Sequence, residues 1–394
     1  MCIRDSLSTP LGASIPGVIS EWVAIRTQGI QLGFDRISRF LANYPDWPTQ
    51  TMMRRRAEEA LVAEKQSHTV IRSFFAKQTP VTAGGALALA EAMTATGQHA
   101  QATDLIRQFW GNNLFKQDLE QKYLTSFGES LRKIDHFKRF ERGIFSEDGD
   151  VALRAAQRLG PEEVTLAKAA VAVFDKTGTA DKLLSALSPK LANELPAYFI
   201  RIKNLRRTDR ITEAANLLSQ IPHGLEAREG GLFWVERRLV ARKLLDMNQP
   251  NLAYKVAAGH SAQAIPDKVE ADFTAGWVLL RMLNQPEQAQ KHFDLAAKEA
   301  KTPISVARAT YWQGRAAEAM GRNAGPYYQH AASHGGTYYG QLARARLGQS
   351  GLPIPNGPSG SVHHLAQRIG IQGLATLYAA DERSLALTLV NDLA

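Results

Sequence analysis

Glu129-Ser130, within residues 125–133 (TSFGESLRK), is the pair whose residue types come nearest to acid–base chemistry. A glutamic acid followed by serine can protonate a glycosidic oxygen when a dry cleft raises its pKa. Here the flanks read as helix, and Arg132 and Lys133 stand next along. Nearby positive charge favours the ionised carboxylate, the wrong form for an acid. His330 and His334 (HAASH) are four apart and could share a helix face. A zinc hydrolase motif needs Glu after the first His, where Ala331 stands, and Gly335-Gly336 ends the helix at once. His363-His364 are adjacent and point to different sides of a helix. Glu58-Glu59 and Glu162-Glu163 diverge in the same way, so neither is the facing carboxylate pair of a glycosidase. Glu162-Glu163 follow Gly160-Pro161 and fit a first helical turn, where negative charge meets the helix dipole. No P-loop or dinucleotide fingerprint occurs, Gly84-Gly85 being an isolated pair within a helical run. No Ser or Cys nucleophile with a supporting His presents itself. Catalytic, cofactor-binding and metal-ligating residues are therefore assigned to none of these positions, and no cofactor is expected.

Two further groups bear on binding. Tyr327-Tyr328 and Tyr338-Tyr339, with Trp277 and Trp312 near in sequence, could form a stacking platform for sugars or bases. At helical spacing such residues more commonly serve core and inter-repeat packing. The formal net charge is +9, which favours an anionic partner such as nucleic acid, acidic lipid or an acidic polymer. The basic residues come in short clusters, Arg54-Arg55-Arg56, Arg206-Arg207 and Arg237-Arg238. These read as solvated helix faces, or as a distributed anion-attracting surface.

The elements that would carry these residues are helices almost from end to end. Ala309, Trp312, Ala316 and Ala319 fall at spacings of three and four on one face, between Thr302-Pro303 as cap and Gly321 as stop. Val269, Phe273, Trp277 and Leu280 do the same, with Pro266 before them and Asn284 after. Helices are also expected at 35–44, 48–65 and 161–176. No Val/Ile/Thr alternation calls for a sheet. Apolar residues make up 44% of the 394, and no run of about 18 of them could span a membrane. Cys2 is the only cysteine, which rules out an internal disulfide.

A repeat underlies the helices. Residues 209–214 (DRITEA), 248–253 (NQPNLA), 284–289 (NQPEQA) and, more loosely, 321–326 (GRNAGP) each end one helix, turn, and open a second with Ala at a fixed offset. Residues 97–102 (GQHAQA) share the layout. A period in the mid-thirties built of two helices is the tetratricopeptide-like class, in which stacked pairs bury a continuous core. The fold expected is all-α, a right-handed superhelix of paired antiparallel helices. Its parts are a disordered or artefactual N-terminus (1–14), a divergent helical solenoid (15–193), tetratricopeptide-like repeats (194–348), a Pro/Gly linker (349–361) and a helical segment (362–394). Residues 1–6 (MCIRDS) carry no apolar signal-peptide core, and Pro10, Gly12, Pro16 and Gly17 break the run after them. The last residues stop within an apolar helical run.

Tyr311-Trp312-Gln313-Gly314-Arg315-Ala316, followed by Glu318 and Gly321, resembles a stretch of the superhelical region of soluble lytic murein transglycosylases. Tyr338-Tyr339-Gly340-Gln341-Leu342-Ala343, ending at Leu347-Gly348, is similar to the family's Tyr-Gly element closing that region. Phe233-Trp234 with Arg237-Arg238, and Arg39-Phe40-Leu41 with Tyr44-Pro45-Asp46-Trp47-Pro48, resemble it too. The likeness runs over roughly residues 30–348. It implies a periplasmic enzyme of cell-wall turnover that cleaves the MurNAc–GlcNAc bond of peptidoglycan and leaves a 1,6-anhydro end. In that family the acid is a Glu-Ser glutamate ahead of a Gly-Leu-Met-Gln stretch, in a domain C-terminal to the helices. No such stretch follows Glu129-Ser130, so no catalytic residue carries over, and the catalytic domain is expected to be absent here. On this reading the chain positions glycan strands, is inactive alone, and has peptidoglycan and cell-wall enzymes as partners, without nucleic acid or a membrane span. The competing reading is a tetratricopeptide-like scaffold binding a protein partner without catalysis.

Overall fold

A computed structural model describes residues 14–222, 224–351, 365 and 367–393. Every regular element among them is helical, with no strand. None of their helices is long and apolar enough to cross a membrane. Most of the 1–14 segment, most of the 349–361 linker, and His363-His364 lie outside the described residues. Ser14 is described: its hydroxyl caps the first helix by accepting from Gly17 N, and Pro16 and Gly17 open that helix instead of breaking it.

The chain forms two compact units, residues 1–142 with 357–394, and residues 143–356. The first holds α1 (Ile15–Gln28), α2 (Phe34–Asn43), α3 (Gln50–Ala63), α4 (His68–Phe74), α5 (Ala83–Thr94), α6 (His99–Asn112), α7 (Gln117–Phe127) and most of α8 (Lys133–Phe145). Its core gathers Ile19, Trp22, Ile37, Trp47, Met53 and Leu61. Two late helices, Ile369–Ala379 and Arg383–Leu393, complete that core through Leu377, Ala386 and Leu389. Gly373 permits this approach, since a Cβ there would sit 2.8 Å from the Trp47 ring. The Trp22 indole N–H donates to Thr49 Oγ1 at 2.8 Å, fixing the turn that presents Trp47.

The second unit runs from α9 (Gly149–Ala156) and α10 (Pro161–Phe174) through α11 (Ala180–Ser185), α12 (Pro189–Ala192), α13 (Leu195–Arg207), α14 (Ile211–Gln220), α15 (Gly230–Asp246), α16 (Pro250–Ala258), α17 (Ile265–Arg281), α18 (Pro286–Glu299), α19 (Pro303–Ala319), α20 (Gly325–Ala332) and α21 (Tyr338–Arg346). Each helix from α15 packs on the next, and α15, α17, α19 and α21 also touch in turn. That contact order is what stacked helix pairs produce. Pairs close tightly because small residues meet large ones: a Cβ on Gly276 would lie 2.8 Å from Phe293, and one on Gly314 would lie 2.6 Å from Tyr328. The helices expected at 35–44, 48–65 and 161–176 form as α2, α3 and α10. Pro266 sits within the first turn of α17 and does not precede it.

The turns have one geometry. Gly97, Asp209, Asn248, Asn284 and Gly321, the first residues of the five repeat segments, all have positive φ between 53° and 80°. After four of them the next N–H reaches back five residues: Gln98 to Met93 O, Arg210 to Leu205 O, Gln249 to Leu244 O and Arg322 to Ala317 O, at 2.8–2.9 Å. This left-handed cap satisfies the orphan carbonyls of the ending helix. After Gly97, Asp209, Asn248 and Asn284 the next helix begins two residues on, and its fourth residue is a fully buried Ala: Ala102, Ala214, Ala253 and Ala289. Glu147 and Asp381 begin two more such turns, with Ala152 and Ala386 buried at the same offset. Lys65 and Lys176 take the same backbone.

A left-handed lysine pays a steric penalty that glycine avoids. Lys176→Gly is therefore expected to raise stability by about 0.5–1 kcal/mol, net of the entropy glycine adds to the unfolded chain. A urea midpoint unchanged or lowered in that variant would show that the turn is not strained.

The basic clusters are solvated faces only in part, Arg55 being exposed. Arg237 is interior, bound to Glu226 and to the carbonyls of Leu218 and Val256. Arg206 and Arg238 are held by Glu236 and Glu270, Arg207 donates to Val173 O, and Arg54 donates to Thr79 O. Most of the clustered cations serve the fold, leaving few for a ligand.

Candidate functional site

Arg55, Glu59 and Val62 recur along α3 at four- and three-residue spacing, which aligns them on one face, with Glu58 beside them. With Thr82–Gly84 at the start of α5, and Asp118, Leu119 and Lys122 on α7, they line a groove of about 700 Å³. A further cavity of about 510 Å³ continues it, sharing Val62, Gly84, Asp118, Leu119 and Lys122 as walls. The main walls are alternate helices of the array, α3, α5 and α7. Stacked helix pairs leave a groove of this kind, long enough for an extended ligand. Phe115 lines it and is held by stacking on Tyr123 (4.8 Å between centroids) and by the Arg139 guanidinium 4.1 Å from its ring.

Glu58 lies beneath this groove with no exposure. Burial pushes its carboxyl upward, and hydrogen bonds from Thr82 and Val81 pull it back without winning. A raised glutamic acid in a groove is the signature of a glycosidase acid. The geometry gives it another task. Val81 N, Thr82 N and Thr82 Oγ1 donate to it at 2.6–2.8 Å, so its oxygens are already occupied. It anchors the start of α5, whose cap is Thr82 Oγ1 accepting from Gly85 N. Gly85 makes room for it, since a Cβ there would stand 2.5 Å from Oε2. Glu59 turns outward to Arg56, so the two carboxylates diverge.

The other residues singled out in sequence are scattered. Glu129 is exposed in a single turn of 3₁₀ helix, and Arg132 bonds Asp135, not Glu129. His330 is exposed in the last turn of α20, and His334 lies beyond the helix with its carbonyl accepting from Thr337; the two rings stand 6.1 Å apart. Among the described residues no His/Cys/Asp/Glu cluster has the makings of a metal site. Glu162 and Glu163 occupy the first turn of α10, with Glu162 accepting from Ser188. Tyr328 and Trp312 are core, Trp277 and Tyr327 pack against that core, and Tyr338 alone of the four tyrosines is exposed. They form no open platform.

One polar cluster had no sequence signal, its members lying 12 and 20 residues apart. Asp272, 8% exposed, accepts from His292 Nδ1 at 2.9 Å and faces His260 Nε2 at 3.9 Å. Tyr254 OH stands 3.4 Å from His292 Nε2, on the far side of the ring from Asp272. Burial pushes the Asp272 carboxyl up, but the two histidines more than offset it and hold it below the usual range. A lowered folded value means stability present above about pH 4 and lost as pH falls through that value. Asp272→Asn is expected to cost about 1–3 kcal/mol at pH 7, with the gap to wild type closing in acid. A gap of constant size in urea unfolding from pH 7 to pH 3 would contradict this.

No family model matches the chain, and no curated protein matches it. Solved structures do. A lytic transglycosylase from Pseudomonas aeruginosa, crystallised as an inactive mutant, superposes with a TM-score of 0.63 over 98% of this chain at 16% identity. The 70-kDa soluble lytic transglycosylase of Escherichia coli gives 0.59 over 97% at 14% identity. The fold is that of the soluble lytic transglycosylases. A complex of a 70-kDa soluble lytic transglycosylase with bulgecin A matches equally, at TM-score 0.60 and 14% identity. This chain spans 61% of the length of each of those chains. The lytic-transglycosylase-like residues are packing residues here: Tyr311 stacks near Tyr328 and Tyr339, Gly314 admits Tyr328, and Phe233 and Trp234 are fully buried.

Proposed function

We propose that this chain is the strand-holding helical region of a periplasmic soluble lytic transglycosylase, with peptidoglycan as its partner. The observation that carries the reading is the superposition of 98% of the chain on a lytic transglycosylase. The α3/α5/α7 groove supports it as a place for an extended polymer, with Phe115 and the amide side chains of Gln28 and Asn113 among its lining. Scission of the MurNAc–GlcNAc bond to a 1,6-anhydro end would fall to the part of such enzymes that this chain does not span. Glu58, the one raised carboxyl in the groove, is spent on the fold.

Co-sedimentation with purified sacculi tests this. The chain should pellet with sacculi and stay bound at moderate salt. A chain left in the supernatant at low salt would refute the reading. Recovery on a defined protein partner, with no retention on sacculi, would favour the scaffold.

A further inference from the structure

We infer that the groove recognises the peptide side branches of its polymer, by their free carboxylates, through Arg55, Lys116 and Lys122. This rests on the proposed peptidoglycan reading and adds which part of the polymer is read.

These three cations differ from their neighbours, which are tied to the fold. Arg56 is tied to Glu59, Arg54 to Thr79 O, and Arg139 to Glu120 and the Trp110 and Asn113 carbonyls. Arg55, Lys116 and Lys122 are exposed, line the groove, and have no ion-pair partner among the described residues. Against them, Glu59 is paired and Glu58 is buried under hydrogen bonds, leaving Asp118 as the one open carboxylate of that wall. Three free cations therefore face one free anion, in a protein whose clustered arginines are otherwise mostly committed. Beside them stand two aliphatic side chains left in water, Ile30 (47% exposed) and Leu114 (38% exposed).

Cations interleaved with aliphatic surface suit a short peptide carrying carboxylates and small apolar side chains. A neutral sugar backbone needs neither and is served by the aromatic and amide groups of the same groove. Each exposed pair contributes little, but three converging on one ligand act together. The polymer would lie with its sugars along the groove and its peptide branches at this rim.

The test is calorimetric titration of the whole chain with three soluble probes: peptide-bearing glycan fragments, the same fragments stripped of peptide, and a single-stranded oligonucleotide of similar charge. Lys116→Glu/Lys122→Glu is the variant, since both side chains are exposed and circular dichroism can confirm its helices. Wild type should bind peptide-bearing fragments at least tenfold more tightly than stripped ones, and the variant should erase that difference while binding stripped fragments as before. Equal affinity for both fragments, or an unaffected variant, would overturn the inference and leave the peptidoglycan reading standing. Tighter binding of the oligonucleotide would overturn it in favour of a phosphate polymer. Failure of wild type to bind either glycan would remove the underlying reading as well.

Discussion

Arg237→Ala is expected to cost about 3–5 kcal/mol of folding stability. Arg237 is 4% exposed and Glu226 is 2% exposed. The guanidinium donates to Glu226 at 3.0 Å and 2.9 Å, to Val256 O at 3.1 Å and to Leu218 O at 3.0 Å. Truncation leaves a carboxylate with no countercharge in the interior, two carbonyls without donors, and a cavity between α14, α15 and α16. Desolvation dominates this loss, so the double variant Arg237→Met/Glu226→Leu should recover most of it. Chemical denaturation of the three proteins reads the result. A single-variant loss under about 1 kcal/mol would mean that the pair is hydrated and marginal.

The second large effect is at Glu58. Glu58→Ala is expected to cost about 2–4 kcal/mol, because it strips the acceptor from two backbone N–H groups and one hydroxyl in a buried site. The start of α5 would loosen, and with it one wall of the groove. Thr82→Ala removes only the cap hydroxyl and should cost about 1 kcal/mol. If the two variants lost the same amount, Glu58 would be contributing nothing beyond the cap. Hydrogen exchange at Val81 and Thr82 gives an independent reading, since those amides should lose protection in the Glu58 variant alone.

Part of this architecture can be read directly from residue types. Gly97, Asn248 and Asn284 announce left-handed turns because these residues tolerate positive φ, and Asp209 does so more weakly. The turns at Lys65, Glu147 and Lys176 share the backbone but not the residue, so the repeat looks degraded before residue 194 while its geometry persists. The divergence of Glu58 and Glu59 follows from helix spacing. That Glu58 turns inward depends on Val81 and Thr82, more than twenty residues away, and no local pattern encodes it. The arginine clusters mislead for the same reason. A charged residue reads as exposed unless its partner is known, and Arg237 finds Glu226 only through the fold.

The groove was the least legible feature. Its walls come from the end of α1 and the turn after it, from α3, and from α5 and α7 with the segments before them, at residues 27–30, 55–62, 81–84 and 113–122, and none carries a motif. Residue types with recognised chemistry, Glu129 and the His330/His334 pair, lie elsewhere. Binding in a helical array comes from faces aligned by stacking, and single-sequence patterns describe one helix at a time.

Hydrogen exchange of the whole chain, with and without soluble peptidoglycan fragments, tests the central claim most directly. Protection should rise in α3, at the start of α5, and in residues 113–122, and should stay unchanged in α15 to α19. Unchanged exchange along the groove, or protection confined to α15 to α19, would contradict it.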